Sequence, residues 1–125
     1  MEPYPLTFTP ILKEKVWGGR TLEKFGKHLP ANCLIGESWE LADLPTSIPD
    51  GKSIIANGPL AGTLLDASFP LLIKFLDACD NLSVQVHPSK AYASQHPEAH
   101  LKSEAWVILD TTPSGLIYVG LKEGT

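Results

Sequence analysis

The stretch NLSVQVHPSKAY at 81–92 sets an amide and an imidazole two residues apart, at Gln85 and His87, where Leu82, Val84 and Val86 alternate with Ser83, Gln85 and His87. Read as a β-strand, 82–87 has one apolar and one polar face, and residues two apart project to the same side with roots roughly 6–7 Å apart. Gln85 and His87 could then converge on one ion, for which a neutral imidazole is the commonest protein ligand. The competing explanation is a hydrogen-bonded structural histidine at a strand end before Pro88. Further along, Glu104 opens the apolar run EAWVIL and, in a strand, shares a face with Trp106 and Ile108. A carboxylate turned toward core side chains needs a partner, because burying it alone is costly. A divalent cation held by Gln85, His87 and Glu104 would serve; so would pairing with Lys102, or plain exposure to solvent.

Other polar residues stand in apolar or turn-rich surroundings. Lys74 interrupts PLLIKFLDA on the face of Leu72 and Leu76; it is either a functional cation or an edge-strand lysine that discourages aggregation. Lys102 projects toward the side of Glu104 if its strand begins that early, and is otherwise a solvated loop residue. In KVWGGRTL, at 15–22, Trp17 precedes a Gly-Gly pair that would let backbone and indole approach a ligand closely. In GESWELADLP, at 36–45, a short strand would put Glu37 and Trp39 on one face, Ser38 and Glu40 on the other. Turn chemistry and core packing account for both stretches without a ligand. His28, His96 and His100 lack ligand spacing with His87 and read as surface residues.

These residues must be positioned by short elements. Eleven prolines and ten glycines are spread over 125 residues, which favours a β-rich fold with many turns over a helix bundle. Segments 53–56, 71–78, 82–87, 104–109 and 116–121 read as strands, with short helices at 20–25 before Gly26 and at 89–95, where Ser89 can cap after Pro88. The pieces suggest a mostly antiparallel barrel or jelly roll with helical insertions. The last strand runs straight into LKEGT; a barrel cut there leaves an unpaired edge, as expected for the N-terminal part of a longer protein.

The balance of 14 acidic against 10 basic residues gives a formal charge of −4 with no basic run, which argues against nucleic acid as partner. It leaves room for an anionic small molecule held by a few local cations. The two cysteines, Cys33 and Cys79, have no CxxC spacing and read as inert core thiols. Without an apolar run of about 18 residues or a secretory signal, a cytoplasmic protein that uses no membrane is expected. No motif fixes an oligomeric state.

Taken together in order, KVWGG at 15–19, GESWEL at 36–41, PLLIKFLDA at 70–78, LSVQVHP at 82–88 and KSEAWVIL at 102–109 resemble type I mannose-6-phosphate isomerase, the phosphomannose isomerase of the cupin superfamily, in its short bacterial form. The resemblance runs from about Leu6 to the last residue. It implies a cupin-like jelly-roll barrel, incomplete in this chain, with 1–125 as the N-terminal part of the catalytic domain. It also implies one zinc ion bound by Gln85, His87 and Glu104, with a fourth ligand, a histidine, from a later strand. Trp17, Lys74 and Lys102 would line a sugar-phosphate site, with Glu37 and Ser38 as looser candidates. Ser103 stands where the family usually has Thr, and Val107 where an aromatic is common; neither changes a ligand type.

The activity so implied is interconversion of mannose 6-phosphate and fructose 6-phosphate, in which a proton moves between C1 and C2. Lys102 is one candidate for the catalytic base, with a carboxylate or a water as alternatives, and Lys74 is assigned to substrate positioning. Competing readings are a non-catalytic cupin sugar-binding module, a truncated inactive fragment, and a cupin that carries iron on two histidines and a carboxylate.

Overall fold

The computed structural model describes residues 3–124, which divide into two compact units, one running to Ser83 and one beginning at Val84. In the first, β1 (Phe8–Thr9) pairs antiparallel with β4 (Ile54–Ile55), Phe8 facing Ile55. A second sheet has the order β2 (Ile11–Gly19), β3 (Ile35–Leu41), β5 (Ile73–Leu76), again antiparallel. The mostly β, antiparallel class expected from the sequence is what forms, although neither sheet closes into a barrel among the described residues.

The register of the larger sheet decides which side chains meet. Lys13, Glu37 and Leu76 lie opposite one another across the three strands, and so do Ile11, Trp39 and Lys74. Cross-strand partners share a face, so this side of the sheet collects Lys13, Glu37, Trp39 and Lys74. The other side carries Leu12, Ser38 and Phe75 in register; there Ser38 Oγ donates to Glu40 Oε1 at 2.6 Å, and Lys27 pairs with Glu40 while lying over the Phe75 ring.

Strand β2 slips between Glu14 and Gly19, both of which oppose Ile35, and Val16 at the resulting bulge is 98% exposed. The two glycines that follow make room for neighbouring strands. A Cβ on Gly18 would stand 2.5 Å from Gly36 N, and one on Gly19 would stand 2.3 Å from Cys79 Sγ and 2.9 Å from Asp77 Oδ2. Packing within the unit, rather than approach to a ligand, therefore explains the Gly-Gly pair.

The helix expected at 20–25 is a 3₁₀ turn, Thr21–Phe25. It buries Leu22 and is closed by Gly26 at φ 76°, which lets the N–H groups of Gly26 and Lys27 reach the carbonyls of Glu23 and Leu22. The core is small: Leu22, Ile35, Ala42, Ile55 and Leu65, with Ser38 and Ser53 fully buried beside them. The cysteines are not core residues, since Cys33 is half-buried and Cys79 exposed, both as free thiols.

In the second unit the helix expected at 89–95 forms as α1 (Lys90–Gln95), and Ser89 Oγ accepts the Tyr92 N–H at 3.1 Å as its cap. The strands expected at 82–87, 104–109 and 116–121 do not form. Their residues have no ladder partners, and Val84, Val86, Val107 and Val119 are more than four-fifths exposed. Trp106 and Ile108 are open to solvent as well, so the apolar face that Glu104 was expected to share is not buried.

Candidate functional site

The expected polar side chains come together in two groups among the described residues, one in each unit. In the second unit, His87 and Glu104 are adjacent although neither lies in a paired strand: Nε2 stands 3.2 Å from Oε2. Lys102 Nζ holds the other oxygen, Oε1, at 2.6 Å. The Glu104 side chain is 21% exposed against 48% for Lys102, although both residues, like His87, are exposed. Gln85 is exposed, and no hydrogen bond joins it to this cluster among the described residues.

The donor chemistry suits a divalent cation. At bond lengths of about 2.0–2.2 Å, two ligands of a tetrahedral zinc stand roughly 3.3–3.5 Å apart, close to the His87–Glu104 separation. Lys102 leaves Oε2 to the imidazole side and would keep the carboxylate monodentate. Among the described residues no three of His, Cys, Asp and Glu are grouped to hold a metal. A shell built on this pair therefore needs a ligand of another type.

In the first unit, Glu37 on β3 is the centre of the second group. Its Oε2 accepts both the Trp39 indole N–H at 2.6 Å and Lys74 Nζ at 3.3 Å. The first bond links residues two apart on one strand face; the second crosses to the edge strand β5. Lys13 Nζ lies 4.6 Å from the centroid of the Trp39 ring, over its π face. Burial pushes the Glu37 carboxyl up, but the Trp39 N–H, then Lys74, then Lys15 outweigh it and hold the group below the usual carboxylate range.

The remaining expected residues are placed less openly. Trp17 is half-buried with its ring edge against the backbone of Gly36, where a Cβ would lie 2.6 Å from Cζ3. Ser38 is fully buried on the face opposite Glu37 and is taken up by Glu40.

The family profile described as phosphomannose isomerase type I, catalytic domain, matches residues 6–106. The chain belongs to the phosphomannose isomerase type I family. Mannose-6-phosphate isomerase ManA of Bacillus subtilis is 38% identical over 96% of this chain, and the mannose-6-phosphate isomerase of Streptococcus mutans is 36% identical over 93%. The chain spans about two-fifths of the length of these relatives, 42% and 40%. The crystal structure of the mannose 6-phosphate isomerase from Bacillus subtilis superposes with a TM-score of 0.61 at 34% identity, covering 78% of this chain and 34% of that one.

For a phosphomannose isomerase type I chain, sequence reasoning found most of the clustered residues but missed the partners that fix them. Lys13 looks like part of a solvated face in an alternating strand until register sets it opposite Glu37 and over the Trp39 ring, and Lys15 joins only through its charge on Glu37. The alternation in KEK against ESW was the available signal, once β2 and β3 are paired antiparallel. Asp77 was also passed over. It is buried at the end of PLLIKFLDA and its Oδ2 accepts the Thr21 N–H at 2.6 Å, which ties β5 to the 3₁₀ turn.

Proposed function

We propose that this chain is the N-terminal part of a catalytic domain that interconverts mannose 6-phosphate and fructose 6-phosphate in the cytoplasm, with a zinc ion held by Gln85, His87 and Glu104. The observation that carries the reading is the approach of His87 Nε2 to Glu104 Oε2 at 3.2 Å, with Lys102 on the second oxygen, in a chain of this family. Glu37, Lys74 and Trp17 contribute to sugar-phosphate binding. A free sugar phosphate is the partner, and no helix among the described residues is long and apolar enough to cross a membrane.

Isomerisation of an aldose to a ketose moves a proton between C1 and C2 while charge builds on the neighbouring oxygens. Zinc, when bound, supplies Lewis acidity for that charge without redox change. The imidazole of His87 and one oxygen of Glu104 are the chain's own contributions to holding it, and the Gln85 amide is the further donor. Lys102, bonded to the same carboxylate, is the base that carries the proton between C1 and C2; for this it must first give its ammonium proton to solvent and come within hydrogen-bond reach of the sugar. Lys74 orients the substrate.

The test is metal content against turnover in the complete gene product. His87→Asn and Glu104→Ala should each strip zinc, read by elemental analysis, and abolish mannose 6-phosphate turnover. Full zinc occupancy in both would remove the site. Lys102→Met should keep the metal and lower kcat by about 10²–10⁴; unchanged turnover would exclude Lys102 as the base.

A further inference from the structure

Both donors that reach Glu37 fall on the same oxygen. Trp39 Nε1 at 2.6 Å and Lys74 Nζ at 3.3 Å share Oε2, and among the described residues Oε1 receives no hydrogen bond. The Glu37 side chain is only 13% exposed, and among the described residues no buried side-chain oxygen goes without a partner, so Oε1 opens to solvent and can take a donor from outside. The indole that fixes it is itself held: Trp39 lies between Ile11 and Lys74 in the register, with the Lys13 ammonium over its ring. A ring fastened by its neighbours can aim its N–H, and through it the carboxylate plane, with little freedom left to lose on binding.

We propose that Trp39 is a positioning residue whose indole N–H, with Lys74, locks Oε2 of Glu37 so that Oε1 is presented to a hydroxyl group of the bound sugar phosphate. This deepens the sugar-phosphate reading above and rests on it. Lysines 13 and 15 from β2 and Lys74 from β5 are the charged groups around the carboxylate. Lys13 itself turns to Asp50 at 3.9 Å and to the Trp39 ring. A hydroxyl is the complementary ligand because a single anionic oxygen accepts one such donor well, whereas a phosphate at the same point would meet like charge.

Two measurements separate the lock from the ligand. The Glu37 carboxyl is titrated by carbon NMR without ligand, in the wild type and in Trp39→Phe, which keeps a ring beneath Lys13 and loses the N–H. The midpoint should rise in the variant; an unchanged midpoint overturns the lock whatever the substrate proves to be. In the complete gene product, Trp39→Phe should raise KM for mannose 6-phosphate about fivefold to tenfold, with kcat within about twofold, as expected for loss of one well-placed hydrogen bond in binding. Glu37→Gln should raise KM at least as much. A raised midpoint with KM unmoved in both variants would mean that Glu37 is locked but takes no substrate hydroxyl, which overturns the proposal and leaves the metal-site reading standing. A lowered melting temperature with midpoint and KM both unchanged would reduce Trp39 to packing.

Discussion

Asp43 shows how much one carboxylate can organise in a unit with a small hydrophobic core. It forms an ion pair with Lys52 and accepts the Phe69 N–H on Oδ2 at 2.9 Å, which binds the 43–52 turn to the segment leading into β5. The bond from Lys52, then the Phe69 N–H, hold its carboxyl below the ordinary aspartate range. A lowered folded value stabilises above the unfolded value of about 3.9, and that contribution is lost as pH falls from there through the folded value. Asp43→Asn should therefore flatten the acid limb of stability against pH, measured by urea unfolding between about pH 2 and 5; an unaltered limb would assign acid sensitivity to other carboxylates. Ser53 gives a second test. It is fully buried and its Oγ accepts the Ala42 N–H at 2.9 Å, so Ser53→Ala should cost about 1–3 kcal/mol by leaving that donor without a partner. At this scale the sequence was informative where type and spacing coincide: Glu37, Lys74, His87, Lys102 and Glu104 all enter polar clusters. It was silent about Asp43 and Ser53, because their roles depend on turns that bring distant segments together.

The elements follow a similar rule. Strands β4 and β5 form inside the predicted 53–56 and 71–78, and α1 starts at the predicted cap, since each has its partners or its cap nearby. Segments 104–109 and 116–121 have equally good strand composition and join no ladder among the described residues, because β-propensity measures fitness for a pleated surface and does not supply the neighbour. Their amides should exchange with solvent much faster than those of Ile35–Leu41, which hydrogen-exchange mass spectrometry would resolve; equal protection would require a ladder there. The Gly-Gly pair at the end of β2 makes the opposite point. Its sequence suggested an open approach, whereas the backbone of β3 already fills the space above Gly18. Gly18→Ala should force β2 and β3 apart and destabilise by about 1–3 kcal/mol, seen as a lowered melting temperature.

For the molecule as a whole, five ordered motifs were enough to read the family and the β-rich class, because each couples a residue type to a local context. What could not be read was closure. Strand pairing across a barrel is a long-range property, and the described residues form two open sheets and a second unit with apolar runs in water. Those runs, Trp106–Leu109 and Leu116–Leu121, combine high β-propensity with low charge and no proline, which is the composition that recruits further copies edge to edge. Handled as a free polypeptide, the 125-residue chain should thus scatter light increasingly with concentration, and lysines introduced at Val107 and Val119 should restore clarity. Solubility, rather than unfolding temperature, would then set the upper limit on its practical concentration.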